Sequence, residues 1–161
     1  ILEIGFGDGE NLINSAKLNS NCFYIGADPF LNTTAKCLSK LLKLNLKNVV
    51  IWPDDIRKIL KFFPINSISE VKILFPDPWP KKRHFKRRLI QLSFLELLAK
   101  KTQYDGKLYF MTDHTDYFNW SSVMISDSKY WEVTEAKWPH EEFSYFQNIL
   151  PSNQFFCASR L

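Results

Sequence analysis

The chain has 161 residues, 45% hydrophobic and 24% charged, which excludes intrinsic disorder because enough apolar surface exists to offset the lost chain entropy. Its apolar runs are only a few residues long, too short to span a bilayer, and Cys22, Cys37 and Cys157 form no C-x-x-C pair, which favours a reducing, cytoplasmic setting over a disulfide or zinc framework. The formal net charge is +4, but six cations fall within Lys81–Arg88 and the rest of the chain carries 15 basic against 17 acidic residues, so the positive excess is one patch, which points to a polyanionic partner.

In chain order, residues 1–4 read as the end of a buried strand, and a preceding N-terminal segment is expected. Residues 10–18 read as a helix with Leu12, Ile13 and Ala16 on one face. Residues 22–27 form a second strand. A long helix follows over 31–46, with Ala35, Leu38, Leu41, Leu42 and Leu46 at helical spacing. A strand is expected over 49–52, a short helix over 55–63, and a fourth strand over 70–75. After a proline-rich loop and the basic run comes a helix over 87–101, with Leu89, Leu92, Leu95 and Leu98 as its core stripe. A fifth strand spans 106–111, the stretch 112–127 is partly helical, and 154–158 is the best late strand. Strands alternating with helices imply a mostly parallel sheet with helices on both faces. Ligands of such sheets bind beyond the carboxyl ends of the strands, at the switch point of strand order.

The strand ends therefore carry the chemistry. The first ends in LEIGFGDGE, where Gly5, Gly7 and Gly9 permit a tight turn and close approach of a ligand. A dinucleotide fingerprint would place its third glycine at position 10, which is Glu10, so a nicotinamide-dependent oxidoreductase is disfavoured. The spacing instead resembles the first motif of S-adenosylmethionine-dependent methyltransferases, and Glu3 and Asp8 suit a cation better than a diphosphate. Asp28 ends the second strand, where an acid accepts from ribose hydroxyls. Asp54 and Asp55 follow the third, placed for an adenine amino group or a helix N-cap.

The fourth strand leads into LFPDPWPKKRHFKRR, residues 74–88. Prolines flanking Asp77 stiffen the loop, the cations suit phosphates, and Trp79, His84 and Phe85 offer flat surfaces for bases. From Phe75 through Arg88 the run matches F-P-D-P-W-x-K-x-R-H-x-K-R-R, and it resembles the signature of TrmB-type tRNA (guanine-N7-)-methyltransferases. The opening LEIGFG, the acid of GADPF and Thr112-Asp113 fall in that family's order. The resemblance implies a Rossmann-like S-adenosylmethionine-dependent methyltransferase fold, one domain over 1–161 that lacks an N-terminal segment.

By resemblance, Glu3, Gly5, Gly7, Asp28, Asp55 and Asp77 bind the cofactor S-adenosyl-L-methionine, and Lys81 and Asp113 bind the RNA substrate. A family motif T-K-F-E has its counterpart in Ser144, Tyr145, Phe146 and Gln147, of which the phenylalanine alone is identical; residues 136–139 (AKWP) compete for that match. Lys82, Arg83, Lys86, Arg87 and Arg88 are expected on the tRNA backbone, with the stem of Arg88 packing beneath the helix that follows. Guanine N7 carries a lone pair and no proton, so its methylation requires no general base. Asp77, the expected catalytic residue, and Asp113 then position the guanine through its N1–H and amino edge. The implied partner is tRNA, with no membrane. No metal is expected, because His84, His114 and His140 are scattered, and no nucleophile elbow surrounds Ser93 or Ser144. The alternative reading is a tRNA-binding protein of the same fold that has lost catalysis, motivated by the altered tail.

Overall fold

In the computed structural model of the chain, residues 1–135 and 154–161 are described. Among them, seven strands form one sheet: β1 (Leu2–Ile4), β2 (Tyr24–Ala27), β3 (Val49–Trp52), β4 (Ile68–Leu74), β5 (Thr102–Thr112), β6 (Trp131–Thr134) and β7 (Gln154–Arg160). Their order is β3-β2-β1-β4-β5-β7-β6. The first five in that order are parallel, while β7 runs antiparallel to both β5 and β6. Strand order reverses between β1 and β4, which places the crevice for a ligand at their carboxyl ends.

The α-helices α1 (Glu10–Leu18), α2 (Leu31–Leu44), α3 (Leu92–Lys101) and α4 (Thr115–Ser126) cover the sheet. Alternation along β1 sends Leu2 and Ile4 into a core shared with Leu95 and Leu98 of α3 and with Tyr117 and Ile125 of α4. A second core joins Leu12, Ile13 and Ala16 of α1 to Tyr24 of β2 and to Cys37 and Leu41 of α2. Glu3 points to the α1 side, where its Oε2 accepts from Asn11 Nδ2 at 2.5 Å. Its register partner on β4 is Lys72, whose buried Nζ lies 3.2 Å from Ser15 Oγ and 3.4 Å from Glu70. A polar layer thus lies between α1 and the central strands. Among the described residues, no helix is long and apolar enough to cross a membrane.

The structure departs from the sequence reading in three places. The stretch expected as a helix over 55–63 is two 3-10 turns, Ile56–Lys58 and Leu60–Phe62. The helix expected from 87 begins at Leu92 instead, because Lys82–Arg87 wind into a 3-10 segment and residues 88–91 form a non-helical bend bonded to α4. Trp120 Nε1 donates to the Ile90 carbonyl at 2.9 Å and the Ile90 amide donates to Tyr117 Oη at 3.3 Å. Leu92 is consequently exposed and Leu89 half-buried, while Phe94 and Ala99 join the core with Leu95 and Leu98. On α2 the buried face is Thr34, Cys37 and Leu41; Leu38 and Leu42 face solvent.

Candidate active site

A cavity of about 1190 Å³ opens at the carboxyl ends of β1, β2, β3, β4 and β5, lined by residues that include Gly5, Gly7, Asp28, Asp55, Asp77 and Asp113. Its first wall is backbone. Beyond the sheet ladder, the Gly5 amide donates to the Ala27 carbonyl at 2.8 Å and the Asp28 amide to the Trp52 carbonyl at 3.1 Å. Gly5 sits at φ +80°, and a Cβ there would stand 2.6 Å from the Leu74 carbonyl oxygen; glycine is the residue that fits.

Asp28 fixes the loop. Its Oδ2 accepts from the Gly7 amide at 2.9 Å and its Oδ1 from the Phe30 amide at 2.8 Å. Burial pushes the Asp28 carboxyl up, the two amides pull it down, and the neighbouring Asp77 adds a further upward push. Each carboxylate oxygen keeps a second lone pair for a ligand hydroxyl.

Glu3 stands behind this wall. It is buried and its Oε1 has no hydrogen-bond partner. Burial pushes its carboxyl up to about 7, against the opposing pull of Lys72 and Asn11. Of the acids expected to touch the cofactor, Asp28, Asp55 and Asp77 line the cavity, whereas Glu3 acts from beneath the loop by holding α1. The Asp8 carboxylate is paired with Lys40 of α2 at 2.8 Å.

At the end of β3, Asp55 caps the first 3-10 turn by accepting from the Arg57 amide at 2.9 Å, and both of its oxygens are held by the Arg57 guanidinium. Burial pushes the Asp55 carboxyl up, but the Arg57 bonds overcome this and hold it below its ordinary range. Asp54 pairs with Lys58 at 2.6 Å.

The second wall is the loop after β4. The Phe75 amide donates to the Met111 carbonyl at 2.9 Å. Phe75 (φ 45°) and Trp79 (φ 43°) occupy the left-handed region, which side-chain-bearing residues adopt at a cost and which clusters at functional sites. Exposed Asp77 lies between them and lines the cavity opposite the glycine loop.

Arg88 holds this loop and corrects the sequence reading. The sequence places it on the RNA backbone, but it is 0% exposed, donates from Nε to the Pro78 carbonyl at 2.8 Å and pairs with Asp116 of α4. Its guanidinium stacks 3.8 Å from the Phe85 ring centroid, with Tyr117 at 5.1 Å and Trp120 at 5.3 Å. The desolvated cation faces three rings, so it is retained as a clamp and presents nothing to a phosphate. Phe85, covered by Arg88 and by Trp120 at 5.3 Å, is likewise withdrawn from base stacking.

The remaining basic residues Lys81, Lys82, Arg83, Lys86 and Arg87 are exposed, and of these Lys86 and Arg87 reach the cavity rim. Asp113 follows β5 and lines the same cavity, exposed. Residues Ser144, Tyr145, Phe146 and Gln147, with the competing stretch 136–139, lie outside the described residues. Sequence reasoning missed Thr33, Lys36 and Arg57 as lining residues; for Arg57 the signal was its place two positions after an acid at a turn start. Among the described residues, no cluster of three or more His, Cys, Asp or Glu could hold a metal ion. Carboxylates with spare lone pairs, a glycine cradle and apolar Ile4, Ile56 and Leu74 suit a nucleoside that carries positive charge.

A family model described as "Putative methyltransferase" matches residues 1–150. The chain is 44% identical over 124 residues to a tRNA (guanine-N(7)-)-methyltransferase of Wolbachia pipientis wMel, covering 77% of the chain and 56% of that relative. It is 40% identical over 130 residues to the protein of the same name from Hyphomonas neptunium, covering 80% and 59%. The chain thus spans less than two thirds of these relatives' own length. In fold it is similar to an rRNA methylase from Streptococcus thermophilus, with a TM-score of 0.65 at 13% identity over 99% of the chain and 86% of that structure.

Proposed function

The chain belongs to the TrmB-type tRNA (guanine-N7-)-methyltransferase family, and we propose that its protein transfers a methyl group from S-adenosyl-L-methionine to N7 of a variable-loop guanosine in tRNA. One observation carries this reading. Asp77 and Trp79 of the segment from Phe75 to Arg88 line the same cavity as Gly5, Gly7, Asp28 and Asp55, which supports a cofactor and a nucleic-acid base meeting there.

The residues present fit the cofactor. The Gly5 turn leaves no room for a Cβ, and the Asp28 carboxylate beside it keeps lone pairs for a ligand. Asp28 would hold ribose hydroxyls. Asp55, with Arg57 fixing its rotamer, would face the adenine edge, and Asp77 would sit near the cationic end. When bound, S-adenosylmethionine supplies an electrophilic methyl group on a sulfonium.

The chain's own residues then orient the nucleophile. Guanine N7 attacks with its lone pair, so no side chain has to remove a proton. Asp77 and Asp113 accept from guanine N1–H and the exocyclic amino group, which fixes the ring in the cavity. The purine gains one positive charge as the methyl arrives, and an adjacent carboxylate stabilises that charge in the transition state. Alignment of the two reactants supplies roughly 7–11 kcal/mol of the barrier reduction in well-oriented cases. Lys81, Lys82, Arg83, Lys86 and Arg87 hold the tRNA backbone.

The reading is tested by incubating the full-length protein with methyl-labelled S-adenosylmethionine and unmodified tRNA. Label entering tRNA supports it. Tight tRNA binding without cofactor binding by calorimetry would refute it in favour of a non-catalytic tRNA-binding protein.

A further inference from the structure

The cavity of about 1190 Å³ exceeds the ~300–1,000 Å³ of an ordinary small-molecule pocket. It therefore has room for a second ring system beside a nucleoside cofactor. Of Trp79, His84 and Phe85, which the sequence offers as flat surfaces for bases, Phe85 is covered by Arg88 and Trp120, and His84 meets the indole of Trp79 edge-on at 5.7 Å. Trp79 alone of the three lines the cavity, and the left-handed backbone at φ 43° sets its direction. Its ring is occupied in a telling way. The Arg87 guanidinium lies 4.8 Å from its centroid, a flat cation over an indole.

We propose that Trp79 is the stacking platform for the target guanine, and that Arg87 holds this ring in the free protein and yields it to the base, its guanidinium moving to a tRNA phosphate. The proposal rests on the tRNA reading above. Its physical basis is that the purine is neutral on arrival and cationic once N7 carries the methyl. Attraction to the indole quadrupole therefore grows along the reaction, which makes the platform stronger in the transition state than in the ground state. The observed Arg87 contact shows that the ring takes a planar cation. Arg87 is exposed, so leaving the ring for a phosphate costs it no buried partner.

The test uses the full-length protein with 7-methylguanosine and guanosine, two probes without a phosphate, titrated by ligand-observed NMR. The parent should prefer 7-methylguanosine by about 3- to 30-fold. Arg87→Ala should bind 7-methylguanosine more tightly than the parent while binding tRNA more weakly, because the competing cation and a phosphate partner are removed together. Trp79→Leu should lose the preference and slow single-turnover methyl transfer by about 5- to 150-fold, with kcat falling more than KM rises. Trp79→Phe should retain part of both. A thermal midpoint close to the parent's shows that a variant is folded, and Arg87→Ala decides the matter if Trp79→Leu is not. Equal affinity of the parent for the two nucleosides, or weaker 7-methylguanosine binding by Arg87→Ala, overturns the proposal. Parent-like turnover by folded Trp79→Leu overturns it while leaving the tRNA reading standing; a parent that makes no 7-methylguanosine overturns the tRNA reading itself.

Discussion

On the β1–β2–β3 side, the cavity wall is backbone extended beyond a hydrogen-bonded ladder and held by buried Asp28, with Glu3 and Lys72 beneath it. On the β4–β5 side it is a proline-rich loop with two left-handed residues, held by buried Arg88. The first wall is positioned by the sheet itself, so a ligand there meets a surface that needs little reorganisation. The second is positioned by side chains from α4, and its outer edge is exposed cations on a 3-10 turn. A cofactor used in every cycle suits the first arrangement. A large polyanion that must dock and leave suits the second, where contacts are peripheral and screened by salt.

The sharpest break between the walls comes from Asp77, which should matter more for rate than for tRNA affinity. Asp77→Asn keeps the shape and removes the charge beside the forming purinium. It should lower single-turnover methyl transfer by about 10²–10³, and parent-like turnover would reduce the loop to a structural element. Next is the clamp. Arg88→Ala strips a fully buried side chain from three rings and from the Pro78 carbonyl. It should cost about 2–4 kcal/mol of stability in denaturant unfolding. An unchanged midpoint would mean that the loop is held by its prolines alone.

The basic edge is expected to act through salt. Replacing both Lys86 and Arg87 by alanine should flatten the slope of log tRNA affinity against log salt by about 0.7–0.9 for each phosphate that is no longer neutralised. Binding of S-adenosylmethionine should change little by comparison. An unchanged slope would show the run to be a solvated turn. The first wall is expected to act through pH. Burial raises the folded Glu3 carboxyl from its ordinary 4.5 to about 7. The folded protein therefore keeps a proton that the unfolded chain releases. Stability from this group is full below about pH 4.5, falls as pH rises towards 7, and levels off above. Thermal unfolding of Glu3→Gln should lack that decline, and parallel pH profiles would show that Glu3 does not titrate there.

The mostly parallel sheet and the acids at its strand ends were largely legible because parallel strands are continuous apolar runs and ligands sit at their ends. Helix α1 and strand β3 fall at the expected residues. The α2 face was misread for a specific reason. Leu41 is buried as expected, but Ala35, Leu38 and Leu42 face solvent and Thr34 and Cys37 are buried one residue away, because leucine density pulled the reading towards a stripe that the sheet did not take. The packed stem of Arg88 was legible, but its guanidinium was read as facing a phosphate because nothing local shows what it pairs with. Its partner Asp116 lies on α4, and the non-helical bend before α3 brings the two together. Glu3 was legible as a site acid but not as one behind the wall, since its neighbours Asn11 and Lys72 come from two other elements.

The central claim, that the two walls together methylate guanine N7 in tRNA, is met most directly by mass-spectrometric analysis of the nucleosides from tRNA treated with the full-length protein and S-adenosylmethionine. The account predicts 7-methylguanosine, absent without protein and strongly reduced with Asp77→Asn. A different methylated nucleoside with no 7-methylguanosine would contradict it.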